Sequence, residues 1–290
     1  MNARAGRGSA ARRTRDVADA IEAAFGISAD VQLCLGESVE QTTAAAVASG
    51  ADLVLAAGGD GTLGGVVNGV AGSGAAVGLI PMGTGNDFAR AVGLPLDPLT
   101  AIQCLAHGRV QRLDVGVREG RRFINVAGCG FDAVVARRVN AGYRLLRGSA
   151  AYLAAVMGTL ATHRPARFKL EVDGEIFEAD AMMCAIANGT SYGGGMKVAP
   201  RARADDGMLD VCLVLACSKL EFILAFPRVY RGEHLSHRRV RFFRGRKVTV
   251  NCDPAQPVLM DGELVEPTPA SFLAEPGAVP FLVPAGHMRR

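Results

Sequence analysis

The spacing of apolar residues changes along the chain near residue 114. Before this point, unbroken apolar runs at 53–57 and 76–80 predict strands buried on both faces of a sheet. After it, short apolar segments separated by turns predict many strands, interrupted by an apolar helical stretch over 133–162. Further strands are predicted at 31–35 and 123–127. We therefore predict an α/β domain followed by a β-sandwich-like domain.

Two glycine-rich loops directly follow the first two buried strands. Their candidate site residues are Gly58, Gly59, Asp60, Gly61 and Thr62 in the first loop and Gly83, Thr84, Asn86 and Asp87 in the second. Glycine lets backbone N–H groups approach an anion closely, and a helix that starts at such a loop directs its positive end to the same place. Because neighbouring parallel strands end at one edge of a sheet, we predict that both loops form one nucleotide phosphate site.

Each loop also carries an aspartate. Asp60 and Asp87 are candidates to hold Mg²⁺, a hard ion that takes one or two carboxylates together with phosphate oxygens. The alternative is that both are turn and helix-capping aspartates, but the presence of two matched loops favours the metal. Thr62 and Thr84 are candidates to hydrogen-bond phosphate oxygens.

The two loops together carry a specific pattern. The sequence GGDGT at 58–62, followed by PMGTGNDFAR at 81–90, resembles the diacylglycerol kinase-like bacterial lipid kinase family, which is related to sphingosine kinases and distantly to NAD kinases. The resemblance implies an enzyme that requires Mg²⁺ and uses ATP to phosphorylate a lipid hydroxyl, with diacylglycerol as the first candidate and phosphatidic acid as the product. With the apolar pattern, it predicts a Rossmann-like nucleotide-binding domain at 1–113, joined by a segment at about 275–290. A β-rich lipid-substrate domain would cover 114–274, with the active site in the cleft between the two domains.

Further metal ligands are implied by the resemblance alone. Asp114 would join the magnesium network, although a boundary carboxylate in a salt bridge is the alternative. An acidic turn would bind a structural Mg²⁺ through Asp206 and the carbonyl groups of Arg203 and Met208. A tight turn with two carboxylates also forms without metal, so this site is left open.

A third motif, Asp-Gly-Glu at 261–263, follows a short apolar strand. A lipid hydroxyl is a weak nucleophile, and a positioned carboxylate that accepts its proton contributes typically 10²–10⁴-fold to the rate. The resemblance implies that Asp261 is this general base. Glu263, on the same face of an extended segment, would orient Asp261 or raise its pKa by like charge. An ordinary Asp-Gly hairpin turn is the alternative.

The chain departs from the family pattern at three places. After GGDGT the family continues with x-Asn-Glu, whereas this chain has Leu63, Gly64 and Gly65. No threonine follows the predicted strand at 31–35, where the family contacts the nucleotide. The loop at 2–8 resembles one that follows a buried strand, yet only Met1 precedes it. We expect a strand upstream of Met1, and the alternative is a protein that lacks this central strand. Gly64 and Gly65, together with a missing strand, would support an alternative, a catalytically silent lipid- or nucleotide-binding protein. A kinase of NAD or another soluble metabolite is less favoured, because no Asn-Thr-Asp-Gly type of motif is present.

Composition and charge indicate the class of protein, its partners and the compartment in which it acts. The chain has 290 residues, 49% of them hydrophobic and 21% charged, with a net charge of +4, which is typical of a globular protein. The basic residues are spread out, so we predict no nucleic-acid partner. Seven cysteines without a C-x-x-C pair favour a reduced cytoplasm. The longest apolar run, 211–217, is too short to span a bilayer. A lipid substrate would therefore be met peripherally at the membrane surface, and a homodimer is left open.

Two segments have alternatives that the sequence leaves open. The segment 237–247 carries six Arg or Lys residues, which either contact anionic headgroups or form a solvated face. The apolar side chains at 221–235 either line a lipid entrance or belong to the core.

Overall fold

A computed structural model of the chain describes residues 1, 14–34, 39–140 and 149–286. The predicted loop at 2–8 lies outside these ranges. The described chain forms two compact units. One consists of Met1–Val115 with Pro276–Arg290, and the other of Gly116–Glu275.

The first unit is built on parallel strands. β1 (Leu53–Gly58) pairs with β2 (Ala76–Pro81) along its whole length, and the end of β13 (Ala270–Val283) pairs with β2 where Phe281 faces Val77. The helices of this unit are α1 (Thr14–Phe25), α2 (Val39–Ala48), α3 (Asp60–Gly69), α4 (Asp87–Ala91) and α5 (Pro98–Ala106). Each of the two paired strands therefore runs through a short loop into a helix, as the sequence predicts.

The predicted strand at 31–35 is wrong in extent. Leu35 lies outside the described residues, and of the described part of this segment, 31–34, only Cys34 forms a β-bridge. Its backbone N–H donates to the carbonyl of Met1 at 2.9 Å. A strand needs a paired neighbour, and among the described strands β1 pairs only with β2. A cavity of about 350 Å³ is lined both by the 27–34 segment and by β1.

The second unit is an antiparallel sheet. It contains the last three residues of β3 (Arg109–Arg118), the start of β13, and β4 (Arg121–Phe123), β5 (Val126–Gly130), β6 (Ala166–Val172), β7 (Glu175–Ala187), β8 (Leu209–Leu215), β9 (Val240–Gly245), β10 (Lys247–Asp253), β11 (Val258–Met260) and β12 (Glu263–Val265). The strand order is β10-β6-β7-β5-β11-β12, with β8 also pairing with β7 and β9 pairing with β8.

The long strand β7 separates two apolar cores. Cys184 and Ile186 belong to a core between strands, whereas Met183 and Ala185 belong to a core that also contains residues from helices. Successive side chains of a strand point to opposite faces, which explains this division. The helices of this unit are α6 (Phe131–Asn140), α7 (Ser149–Thr162) and α8 (Lys219–Ala225), and 3₁₀ turns follow at Phe226–Arg231 and Glu233–Ser236.

Three sequence-based boundaries need correction. The strand predicted at 123–127 lies at Val126–Gly130, after a short strand at Arg121–Phe123. The helical stretch predicted at 133–162 consists of α6 and α7, with 141–148 outside the described residues. The apolar segment 221–235 forms a helix of only seven residues followed by 3₁₀ turns.

Candidate active site

The two glycine loops contact each other through their backbones. A Cβ atom on Gly59 would lie 3.0 Å from the Cα of Gly83, and a Cβ on Gly83 would overlap the Cα of Gly59. A Cβ on Gly58 would likewise overlap the side chain of Thr62. These glycines are therefore required by close packing, which brings the two predicted phosphate loops together at one end of β1 and β2.

Asp60 connects the two loops. Its Oδ2 accepts the backbone N–H of Asp87 at 3.1 Å, and its Oδ1 accepts that of Phe88 at 3.0 Å. It thereby caps the start of α4, a position where helix N–H groups need acceptors. The helix-capping role that the sequence left as an alternative is thus present, but Asp60 acts on the helix of the other loop.

Asn86 shapes the second loop. Its backbone is left-handed, with φ of 51°, and its side chain exchanges two hydrogen bonds of 3.0 Å with the backbone of Gly83. Asn86 and Asp87 are buried, whereas Thr84 is exposed. Asn86 and Asp87 therefore form the fixed, buried part of the loop, and the hydroxyl of Thr84 is exposed to solvent or a ligand.

The start of α3 is suited to an anion. The helix begins at Asp60, and its N-cap residue, Gly59, has no side chain to satisfy the first N–H groups. Gly61 is exposed, and a Cβ on it would meet nothing within 4 Å. An open helix N-terminus with this polarity favours negative charge.

The family departure at Gly64 and Gly65 has a packing explanation for one of the two residues. A Cβ on Gly65 would lie 3.0 Å from the Cβ of Val39 in α2, whereas a Cβ on Gly64 would meet nothing within 4 Å. The carbonyl of Gly64 accepts the side-chain N–H of Asn68 at 2.9 Å. Gly65 therefore allows α2 and α3 to approach closely, but no contact requires glycine at 64.

The predicted magnesium ligands do not form a ready-made cluster. Within the described ranges, no three His, Cys, Asp or Glu side chains are grouped so that they hold a metal ion. Asp114 is buried, and its Oδ1 accepts the N–H of Gly277 at 2.7 Å. Asp60 and Asp87 are adjacent, and two carboxylates suit Mg²⁺ when a nucleotide supplies the remaining oxygens. The donor set of the two loops therefore fits magnesium bound together with nucleotide.

An arginine from β9, Arg244, contacts the second predicted metal turn, and sequence reasoning missed this contact. Oδ1 of Asp206 accepts the N–H of Met208 at 3.1 Å, and the guanidinium of Arg244 donates to Oδ2. The side chain of Arg203 pairs with Asp205 at 3.0 Å. Arg244 therefore already supplies a positive charge at this turn.

Asp210, next to this turn, was also missed. Its Oδ2 is buried and has no hydrogen-bond partner. Burial raises the pKa of Asp210 to about 6, against the attraction of Arg244 and with the added repulsion of Asp206. A buried carboxylate oxygen without a hydrogen-bond partner is suited to binding a cation. The signal in the sequence was a lone carboxylate at the start of an otherwise apolar strand, β8.

The Asp-Gly-Glu motif forms a two-residue hairpin between β11 and β12. Met260 pairs with Glu263, which leaves Asp261 and Gly262 in the turn with φ of 44° and 94°. The turn alternative is therefore present. The carboxylate of Asp261 accepts three backbone N–H groups, from Ile124 at 2.6 Å, Asn125 at 2.9 Å and Val126 at 3.1 Å.

Glu263 has a different environment. Its side chain is 57% exposed and pairs with Arg121 of β4, which is itself 48% exposed. Asp261 therefore fixes the hairpin to the chain at the start of β5, whereas Glu263 is the more accessible carboxylate of the motif.

An apolar cavity of about 90 Å³ lies in the second unit, and the partly buried Asp132 is among the residues that line it. Asp132, at the start of α6, accepts a hydrogen bond from the hydroxyl of Tyr192 at 3.3 Å. Burial raises the pKa of Asp132 to about 6. Gly128 leaves the space that this carboxylate occupies. Sequence reasoning missed Asp132, because only the fold places this side chain against an apolar cavity.

Comparison with known proteins covers nearly the whole chain. Residues 1–117 match the diacylglycerol kinase catalytic domain, and residues 125–283 match the YegS C-terminal NAD kinase beta sandwich-like domain. A diacylglycerol kinase from Mycobacterium tuberculosis is 34% identical over 288 residues, covering 97% of this chain and 90% of the relative. One from Bacillus subtilis is 33% identical over 255 residues, covering 87% and 84%.

A solved structure has the same fold. The crystal structure of a diacylglycerol kinase from Bacillus anthracis superposes with a TM-score of 0.76 at 22% identity, covering 99% of this chain and 96% of that one. The predicted fold class, an α/β domain followed by a β-sandwich-like domain, is confirmed. Among the described helices, none is both long and apolar enough to cross a bilayer.

Proposed function

Because this chain belongs to the diacylglycerol kinase family and is a lipid kinase, we propose that it transfers the γ-phosphate of ATP to the free hydroxyl of diacylglycerol and forms phosphatidic acid. The observation that carries the proposal is the joining of the two glycine loops. Contact between Gly59 and Gly83 brings the open N-terminus of α3 beside the loop that holds Asn86 and Asp87. Phosphoryl transfer depends mainly on positioning and charge stabilisation, which such a site supplies.

The loops would bind the nucleotide through its phosphates. Backbone N–H groups at the start of α3 would donate to phosphate oxygens, with the exposed hydroxyl of Thr84 as a further donor. Asp60 and Asp87 are the residues that would hold Mg²⁺. When bound, the ion would neutralise negative charge on the phosphates.

The base would come from the Asp-Gly-Glu hairpin. The sequence assigned this role to Asp261, but its carboxylate already accepts three backbone N–H groups, which stabilise its charged form and hold it in place. We assign the proton-accepting role to Glu263, which is exposed and held by one cation, Arg121. Asp261 then acts as a positioning residue. The location of the active site relative to the two units stays a prediction.

The test is transfer of radiolabelled γ-phosphate from ATP to diacylglycerol in mixed micelles, with magnesium present or removed by chelation. Sphingosine, NAD and water serve as competing acceptors. We expect labelled phosphatidic acid only when diacylglycerol and magnesium are both present. Label on NAD, or ATP hydrolysis without lipid transfer, would contradict the proposed acceptor. Tight ATP binding without any transfer would favour the silent binding protein.

A further inference from the structure

The outer face of α8 carries large apolar side chains. Leu220 and Leu224 are 67% and 68% exposed, and Ile223 between them is 40% exposed. Residues four apart lie on the same side of a helix, so the two leucines form one continuous apolar strip. An exposed cluster of this kind is typical of an interaction surface.

The inner face of the same helix is fixed to the second unit. Phe222 is only 7% exposed, and its ring centroid lies 4.8 Å from that of Phe131 and 6.1 Å from that of Phe226. Ser218 caps the helix by accepting the N–H of Glu221 at 3.1 Å. The helix therefore has its own core contacts, and the leucines remain outside them.

Basic residues surround the apolar strip. A groove of about 380 Å³ is lined by Leu220, Leu224, Arg228 and Arg238, among others. The acid in the groove, Glu221, is paired with Arg238 at 3.1 Å and with Arg239 at 3.6 Å, so positive charge is in excess there. Arg231 is also exposed on the following 3₁₀ turn. The surface therefore combines apolar side chains with cations.

We propose that this docking face, made of Leu220, Ile223, Leu224, Arg228, Arg231 and Arg238, holds the protein on an anionic lipid bilayer. The apolar side chains enter the acyl boundary while the long arginines stay at the phosphate groups. The proposal rests on the proposed function, because the acceptor lipid resides in a bilayer. On the inner side, Phe222 and Ala225 of α8 and Phe226 of the following 3₁₀ turn line the apolar cavity of about 90 Å³.

The charge on the face selects this partner. A second copy of the chain would bring the same arginines against each other, whereas an anionic bilayer presents phosphates to all of them. Basic segment 237–247 contributes Arg238 to the docking face, so the headgroup-binding alternative from the sequence is extended here to include α8.

The test is flotation of the full chain with vesicles of phosphatidylcholine, alone or mixed equally with phosphatidylglycerol. We expect binding to the mixed vesicles that weakens at high salt. The double variant Leu220→Ser/Leu224→Ser should reduce the partition coefficient by roughly tenfold or more. The matched control, Leu99→Ser/Ile176→Ser, removes two apolar residues that are 50% and 58% exposed elsewhere and should bind as the unmodified protein does.

Activity toward a water-soluble short-chain diacylglycerol separates this proposal from the proposed function. The α8 variant should keep that activity and an unchanged melting temperature while it loses vesicle binding. Equal loss of binding in both double variants, or no loss in either, would overturn the docking face. Self-association of the unmodified chain that is abolished by the α8 variant, with no vesicle binding, would also overturn it. Vesicle binding that needs α8 in a chain without kinase activity would support the docking face and refute the proposed function.

Discussion

The carboxylate of Asp60 accepts the backbone N–H of Asp87 at 3.1 Å, across 27 residues of sequence. One candidate magnesium ligand therefore positions the other. Together with the hydrogen bond from Phe88, this contact makes Asp60 the cap of α4 as well as a candidate ligand. A substitution at Asp60 therefore has two separable effects.

Asp60→Asn should lower activity and stability together. Its amide keeps one acceptor oxygen but turns an NH₂ group toward a backbone donor, which should cost about 1 kcal/mol of unfolding free energy. Asp87→Asn should lower activity and magnesium-dependent ATP binding with a smaller loss of stability, because the capping acceptors remain. Denaturant unfolding and nucleotide titration measure the two effects. Equal, undiminished turnover in both variants would remove these aspartates from the site.

The family departure in α3 can be tested one residue at a time. Gly64→Asn should be tolerated, because a Cβ there meets nothing within 4 Å, and it should tighten apparent ATP affinity if an amide at this position contacts the nucleotide. It should also stabilise the helix by a few tenths of a kcal/mol, since glycine is a poor helix former.

Gly65→Glu is the contrasting variant. Its Cβ would press on Val39, so we expect a loss of stability of about 1–3 kcal/mol from overpacking between α2 and α3. Melting temperatures of the Gly64→Asn and Gly65→Glu proteins measure these opposite changes in stability. A Gly65→Glu protein as stable as the unmodified one would show that α2 yields easily.

The two carboxylates of the hairpin should respond differently. Glu263→Gln should reduce turnover by about 10²–10⁴-fold with little change in stability, because its pairing with Arg121 is largely exposed. Asp261→Asn should lower stability by about 1–3 kcal/mol, since an amide cannot accept all three N–H groups.

Turnover and unfolding must therefore be measured on both proteins, with Glu175→Gln as an exposed control on β7. If Asp261→Asn abolishes transfer at an unchanged melting temperature while Glu263→Gln remains active, the base is Asp261, as the sequence pattern first indicated.

The partly buried Asp132 of the second unit should make the free energy of unfolding depend on pH. Asp132 has a folded pKa of about 6, whereas an exposed aspartate titrates near 4. Between these values folding takes up a proton, so this residue's contribution to stability falls as pH rises from about 4 to 6 and stays low above that.

Asp132→Asn should remove this penalty and raise the free energy of unfolding at pH 8 by up to about 3 kcal/mol, with no gain at pH 3. Asp210, whose pKa is also about 6, is unchanged in this variant and keeps its own pH dependence. Urea unfolding from pH 3 to pH 8 measures the difference. A gain that is the same at both ends of the range would point to packing and not to ionisation.

Local pattern predicted much of the fold. Apolar runs predicted β1 and β2, glycines marked both loops, and an Asp-Gly pair marked the turn between β11 and β12. These features depend on residues within a few positions of each other. Of the strand predicted at 31–35, residues 31–33 did not form a strand and Cys34 forms only a bridge, since pairing depends on a neighbouring strand and not on the alternation of the segment itself.

The roles of individual side chains depended on distant partners. Asp261 accepts hydrogen bonds from residues about 137 positions earlier, and Arg244 reaches Asp206 across 38 positions. Asp132 was missed because nothing in its neighbourhood along the chain distinguishes it from a helix-start aspartate. Charge and residue type were readable in the sequence, but the contacts that decide what each carboxylate does were not.

The contact between Gly59 and Gly83 also limits how the two loops can change. When two large residues collide, a smaller neighbour often relieves the strain, and a pair of substitutions can be reached by way of a tolerated intermediate. Here each residue is already the smallest available, so enlarging one cannot be compensated by shrinking the other. When both positions are randomised together and the variants are selected for folding, the original glycine pair and few others should therefore be recovered. A library at Gly61 and Gly64 should tolerate more residues, because the surrounding space is open there.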